Sequence, residues 1–155
     1  MARTKAKPLY TIGYERLSLP SLVDALKRAK VKALIDVREL PNSRRAGFSK
    51  GTLSATLAEA GIGYSHLKAL GTPKAGREAN KAGRWKEFWK IVDTNLARPE
   101  AMLALEEAAE IASAKTACLL CLEHDHAICH RDRVADMLAK RGFKVTHLEP
   151  EVAPL

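Results

Sequence analysis

The sequence predicts an α/β fold: one three-layer domain with a mainly parallel sheet of about five strands, flanked by helices and Rossmann-like in its winding. Three observations predict it. Two near-continuous apolar runs, 33–37 and 116–122, have the character of strands buried on both faces, as in parallel sheets. Segments of helical apolar spacing alternate with such runs along the chain. At 155 residues, 46% hydrophobic and 28% charged, the chain suits one globular domain rather than a disordered one.

The elements follow in order. Leu9-Tyr-Thr-Ile12 is short, apolar and β-prone, and reads as a first strand ending at Gly13-Tyr14. Ser18 or Ser21 can cap a helix whose Leu19, Leu22, Val23 and Leu26 share one face. The run Ala33-Leu-Ile-Asp-Val37 is a second strand, and a polar loop follows it from Arg38. A helix is expected from Gly51 to Ala60, stopped by Gly61, and a short third strand over Ile62–His66. Residues 67–84 show no apolar periodicity and read as a long functional or mobile loop. Trp85 to Ala97 is a helix with Trp85, Phe88, Trp89, Val92 and Leu96 inward, and Pro99 opens another that runs to Ser113. Thr116–Leu122 is the most apolar stretch and a central strand. A helix then starts near Cys129 or His130 and ends at Gly142, and Lys144–Leu148 is the last strand. The first, second and fourth strands carry the apolar runs and belong in the middle of the sheet. No linker divides 8–155, and 1–7 reads as a basic flexible tail.

The net charge of +8 is concentrated. Residues 1–7 carry +3, residues 38–50 carry +3 and residues 67–84 carry +4, so the rest of the chain sums to −2. Such a field favours a polyanionic partner, nucleic acid (DNA before RNA) or a phosphorylated ligand. The basic start lacks the apolar core of a secretion signal, and no apolar run approaches membrane-spanning length, so no membrane partner and a cytoplasmic location are expected. Three cysteines suit thiols or ligands in a reducing compartment better than a disulfide framework.

In open parallel sheets, ligands bind beyond the carboxyl ends of the strands. Polar and titratable residues cluster in the segments predicted there. Asp36 is one step from the end of an apolar strand, and Arg38, two residues on, shares its face. The pair can be structural, or Asp36 can serve as a general base. Ser43, Arg44 and Arg45 suit phosphate contact, and Tyr14 and Tyr64 could stack on a base or close the core. Cys118 and Cys121 lie three apart in a strand and so face opposite sides, which counts against a shared metal; Cys121, Cys129 and His130 with His124 or His126 could form a site, but no recurrent zinc spacing is present and no metal or other cofactor is expected. Cys129 at a helix start, beside His130 and Arg131, has the setting of a low-pKa thiol, and His130 with Arg131 could alternatively hold a phosphate. No dinucleotide, NTPase, kinase or serine-hydrolase signature is present.

Thr11-Ile-Gly-Tyr14, Asp36-Val-Arg38 with Pro41 and Ser43-Arg44, and Gly61-Ile-x-Tyr64-x-His66 with Leu70-Gly71 stand in order along the chain. Leu119-Leu-Cys121-x-Glu123, Cys129-His130-Arg131 and Val145-x-His147 follow. In these the chain resembles the domain-of-unknown-function 488 family, although Ala46-Gly47-Phe48 lacks the proline common before that phenylalanine. The resemblance implies an α/β domain and a recurring set of Asp36, Arg38, Ser43, Arg44, Tyr64, His66, Cys121, Glu123, Cys129, His130 and Arg131, and implies no particular reaction.

Three readings of function follow. The leading one is a hydrolase acting on nucleic acid or nucleotides, with Asp36, Glu123, His66 and Cys129 as candidate catalytic groups. Its concrete form is release of a damaged or modified base by N-glycosidic hydrolysis, as in DNA repair. Tyr14, Arg38, Ser43, Arg44, Tyr64, Cys121, His130 and Arg131 are then the substrate-binding candidates. The second is a cysteine-dependent enzyme on a small anionic substrate. The third is a nucleic-acid-binding domain without catalysis. A monomer or a weak homodimer is expected.

Overall fold

The structure, a computed structural model, describes residues 6–43 and 47–151. Most of the expected basic tail and both Arg44 and Arg45 lie outside the described residues.

Five strands form one all-parallel sheet: β1 (Lys7–Gly13), β2 (Ala33–Asp36), β3 (Gly63–His66), β4 (Ala117–Cys121) and β5 (Phe143–His147), in the order β3-β2-β4-β1-β5. The helices are α1 (Leu19–Arg28), α2 (Lys50–Glu59), α3 (Lys74–Lys81), α4 (Trp85–Leu96), α5 (Pro99–Ala114) and α6 (Arg131–Ala139). The three strands with apolar runs are the central ones, as expected, with β4 between β2 and β1.

Strand alternation divides the core between the two faces. Ala117, Leu119 and Cys121 of β4 face one side, with Ile35 of β2 and residues of α3 to α6. Cys118 and Leu120 face the other, with Leu34 of β2, α1 and α2. The sequence periods account for this. Leu22 and Leu26 place one stripe of α1 inward, and Ser18 caps it by accepting a hydrogen bond from the Ser21 amide at 3.1 Å. Right-handed crossovers then put helices of connections running in opposite directions along the sheet on opposite faces. The connections leaving β1 and β2 go to one face and that leaving β4 goes to the other, so their carboxyl-end loops part and leave a crevice.

Two expectations need correction. Residues 67–84 are not a structureless loop, because they hold a 3-10 turn (Lys68–Leu70) and α3. That helix buries Gly76 and Ala79 rather than large side chains, so no pattern of large apolar residues announces it. A Cβ on Gly76 would stand 2.5 Å from the Thr72 methyl and 3.1 Å from Ile91, so the small residue sets how closely α3 approaches α4. Trp85, expected inward, is 42% exposed at the start of α4, where its ring meets Phe88 edge-on.

Gly13 is where the fold meets the site. A Cβ there would lie 1.7 Å from the Glu123 carbonyl oxygen. Beyond it, the Tyr14 amide donates to the Cys121 carbonyl and the Glu15 amide to the Leu122 carbonyl, so β1 runs straight against the turn after β4. Gly13→Ala forces backbone against backbone, which side-chain rotation cannot relieve. We expect a loss of about 3 kcal/mol or more, the upper range for overpacking, read from urea denaturation.

Candidate functional site

The carboxyl ends of β1, β2 and β4 surround a cavity of about 250 Å³. Tyr14, Phe88, Leu40 and Leu122 give it apolar walls, and Leu40 and Leu122 are exposed at its rim. Cys121, Glu123, His130, Arg38, Glu39 and Arg77 supply its polar lining. Gly71 permits this closeness, because a Cβ there would sit 2.1 Å from the Glu39 amide nitrogen.

The thiol–imidazole group forms where β4 ends and α6 begins. The Cys121 sulfur lies 3.5 Å from His130 Nδ1 and 3.4 Å from Glu123 Oε2, and the Cys129 sulfur lies 3.8 Å from the same Nδ1. His130 Nε2 stands 2.6 Å from the Val37 carbonyl oxygen. A carbonyl only accepts, so Nε2 carries a hydrogen and Nδ1 is the atom that exchanges a proton with the thiols. All three residues are buried, and Cys121 and His130 reach the cavity. Cys118 faces the opposite side of the sheet, so its spacing from Cys121 builds no common site. Cys121, Cys129 and His130 do offer three donor atoms within 4.8 Å of one another, a set that could also hold a metal ion.

Burial disfavours a charge on either sulfur. At Cys129 this is outweighed by hydrogen bonding from Cys121 and by the His130 and Arg131 charges, which hold its thiol well below the ordinary range. Burial and the neighbouring Cys129 sulfur push Cys121 well above it. The two shifts run in opposite directions, so the pair favours charge on Cys129 with the proton kept on Cys121. His130 is raised despite its burial, through the Cys129 charge.

Burial and the Cys129 charge push Glu123 up to about 7. The fold therefore holds this proton more tightly than the unfolded chain, whose carboxyl titrates near 4.5. The resulting stability is whole below pH 4.5 and is lost as pH rises through about 7. Glu123→Gln should flatten the fall in urea midpoint across that window, a comparison that needs only denaturation curves at its two ends.

Asp36 and Arg38 meet as the strand parity predicts. Arg38 Nε donates to Asp36 Oδ1 at 2.9 Å and Nη2 to Oδ2 at 2.7 Å. The Arg38 amide (3.1 Å) and the Tyr64 hydroxyl (2.5 Å) donate to the same carboxylate. Asp36 is fully buried, its oxygens accept these four hydrogen bonds, and it does not line the cavity. Arg38 also donates to the Phe48 carbonyl (2.8 Å) and the Tyr14 hydroxyl (3.3 Å). Tyr14 stacks on Phe48 at 4.7 Å, so that ring face is already covered. His66 Nε2 donates to the Arg38 carbonyl at 2.7 Å, behind the cavity wall.

The other expected site residues are placed as follows. The Ser43 amide donates to Ser49 Oγ at 3.0 Å, which secures the loop after β2. Arg131 is fully buried, and its guanidinium donates to Thr11 Oγ1 and to the carbonyls of Glu123 and His124. It thus ties the turn after β4 to β1 while its charge reaches the thiols. Sequence reasoning missed Glu39, Leu40, Thr72, Arg77, Asn80 and Phe88 as cavity residues. Arg77 donates to Glu39 and to the Thr72 carbonyl, both at 2.7 Å, so much of its charge is met within the protein. The turn signal Gly71-Thr-Pro73 before Arg77 was the available hint of a helix start.

The fold and this rim define a parallel α/β protein with a buried thiol–imidazole–carboxyl group facing a small cavity. The family model described as "Domain of unknown function DUF488" matches residues 18–138, more than half of the chain, and the chain belongs to that family. The motifs at Thr11–Tyr14 and Val145–His147 lie outside the matched span. No curated protein and no solved structure matches the chain. Among the described residues no helix is long and apolar enough to cross a membrane.

Proposed function

We propose that the chain is a cysteine-dependent enzyme acting on a small substrate. The observation that carries this is the pair of sulfurs at 3.5 and 3.8 Å from one imidazole nitrogen, with Cys121 and His130 at the cavity surface. Cys121 is the nucleophile, because Cys129 does not line the cavity. Cys129 and His130 take up its proton, and His130 returns one to the leaving group. Glu123, titrating near neutrality, is a second proton carrier. The cavity volume of about 250 Å³ admits a small molecule with an apolar body, and Arg77, already paired with Glu39, suits a polar end. Asp36 and Arg38 position the β2 end that supports the His130 imidazole through the Val37 carbonyl.

Incubation of the full chain with 4-nitrophenyl acetate, a small activated ester, tests this. The expected result is a burst of nitrophenolate and an acetyl group on Cys121 by peptide mass spectrometry. Loss of the burst is expected in Cys121→Ser. Acetylation spread over surface lysines with no cysteine adduct would overturn the reading.

The nucleotide-directed reading keeps one specific support: Glu123, held up to about 7, lines the cavity and could serve there as an acid. In that version Glu123 protonates the departing base, and Asp36, which does not line the cavity, takes no part as a general base. Release of a base from lesion-bearing oligonucleotides, abolished by Glu123→Gln and retained by Cys121→Ser, would favour it over the thiol reading.

A further inference from the structure

We propose that His126, Asp132 and His147 form a binding site for one divalent transition-metal ion of the zinc class. The three come from separate elements: the 3-10 turn His126–Ile128, the first turn of α6, and the last residue of β5. Their donor atoms all lie within 4.8 Å of one another. Zinc bonds to nitrogen and oxygen of about 2.0–2.2 Å place neighbouring ligand atoms roughly 3–3.5 Å apart in a tetrahedron, so the atoms are within reach of one ion once the stacked His126 and His147 rings swing out of their parallel arrangement to aim both nitrogens at it.

The arrangement around these atoms has the features of a ligand set. The His126 and His147 rings are parallel at 3.5 Å, 5° apart, and both edges face one carboxylate. His126 Nδ1 is 2.8 Å from Asp132 Oδ1, where a proton now occupies the place of a cation. His147 Nε2 is 3.8 Å from the same oxygen. His147 Nδ1 is 2.6 Å from Thr11 Oγ1, which fixes the ring and leaves Nε2 directed at the site. A polar partner on the far nitrogen is what orients a metal-bound histidine. Thr11 is itself held by Arg131 Nε at 3.2 Å. The ligand side chains are 23–32% exposed, so a hydrated ion can enter and an open position can keep water.

The site is separate from the cavity, whose lining includes none of the three residues. It joins the turn that carries Glu123, Cys129 and His130 to the edge strand β5. An ion here clamps that turn, a structural role independent of the thiol chemistry.

Titration of the full chain with Co²⁺, followed by absorption, tests the site. The expected result is one ion per chain, with visible bands of a nitrogen–oxygen site and no near-ultraviolet sulfur-to-cobalt charge transfer. Binding should weaken about tenfold or more in His147→Gln and in Asp132→Asn, and stay unchanged in Cys121→Ser. Asp132→Asn lies on a half-exposed helix turn and serves if His147→Gln misfolds, with far-ultraviolet circular dichroism checking both. Absence of binding, full affinity in Asp132→Asn, or a sulfur charge-transfer band as the whole of the signal, lost in Cys121→Ser, would overturn the proposal.

Discussion

Arg38→Met is expected to cost about 3–5 kcal/mol of stability, the usual penalty for removing one partner of a buried ion pair. Against the roughly 5–15 kcal/mol that holds a domain folded, this is a large fraction. The size follows from what stays behind. Asp36 is completely buried, and without the guanidinium it keeps only the Arg38 amide and the Tyr64 hydroxyl. Methionine fills much of the same volume, so the loss reports charge rather than a cavity. The Phe48 carbonyl also loses its donor, which loosens the segment that stacks against Tyr14. Two further measurements separate these effects. The deficit should shrink at acid pH, where the stranded carboxylate can be protonated. The double variant Arg38→Met with Asp36→Asn should recover most of the loss, because no uncompensated charge remains. Equal deficits in the single and double variants would show that the pair is not what stabilises this edge.

His130→Gln is expected to slow capture of 4-nitrophenyl acetate by Cys121 about 100-fold, the lower end of what a positioned acid–base group contributes. Glutamine can still donate an N–H to the Val37 carbonyl, so the contact between α6 and β2 survives. It cannot take a proton from either sulfur. Cys121 then loses its partner at 3.5 Å and Cys129 its partner at 3.8 Å, while burial continues to disfavour a charge on both. The fold should be intact, so a normal urea midpoint with a slowed capture rate distinguishes proton transfer from packing. An unslowed rate would remove His130 from the chemistry.

Much of this arrangement was legible in the chain. Period-two alternation in Ala33–Val37 put Asp36 and Arg38 on one face, and the structure pairs them there. The same rule separated Cys118 from Cys121, and their sulfurs do lie on opposite sides of the sheet. The carboxyl-end rule brought β1, β2 and the turn after β4 to one rim. What stayed hidden has physical causes. The α3 helix packs through Gly76 and Ala79, and contact through small residues leaves no periodic apolar signal. Sequence placed both Asp36 and Glu123 at strand ends but could not say which faced open space. That choice is made by the parity of Asp36, which turns it toward Tyr64, and by the course of the turn beyond β4. The shared proton of Cys121 and Cys129 depends on a chain reversal between residues 121 and 129 that no spacing rule supplies.

The proposed thiol chemistry requires one thiolate held across Cys121 and Cys129 by His130. Ultraviolet thiolate absorbance against pH, on wild type and on His130→Gln, tests it most directly. A step of one thiolate per chain is expected with a midpoint below the ordinary thiol value of about 8.5, moved to higher pH in the variant. A single rise of all thiols at or above about 8.5, identical in both proteins, would contradict it.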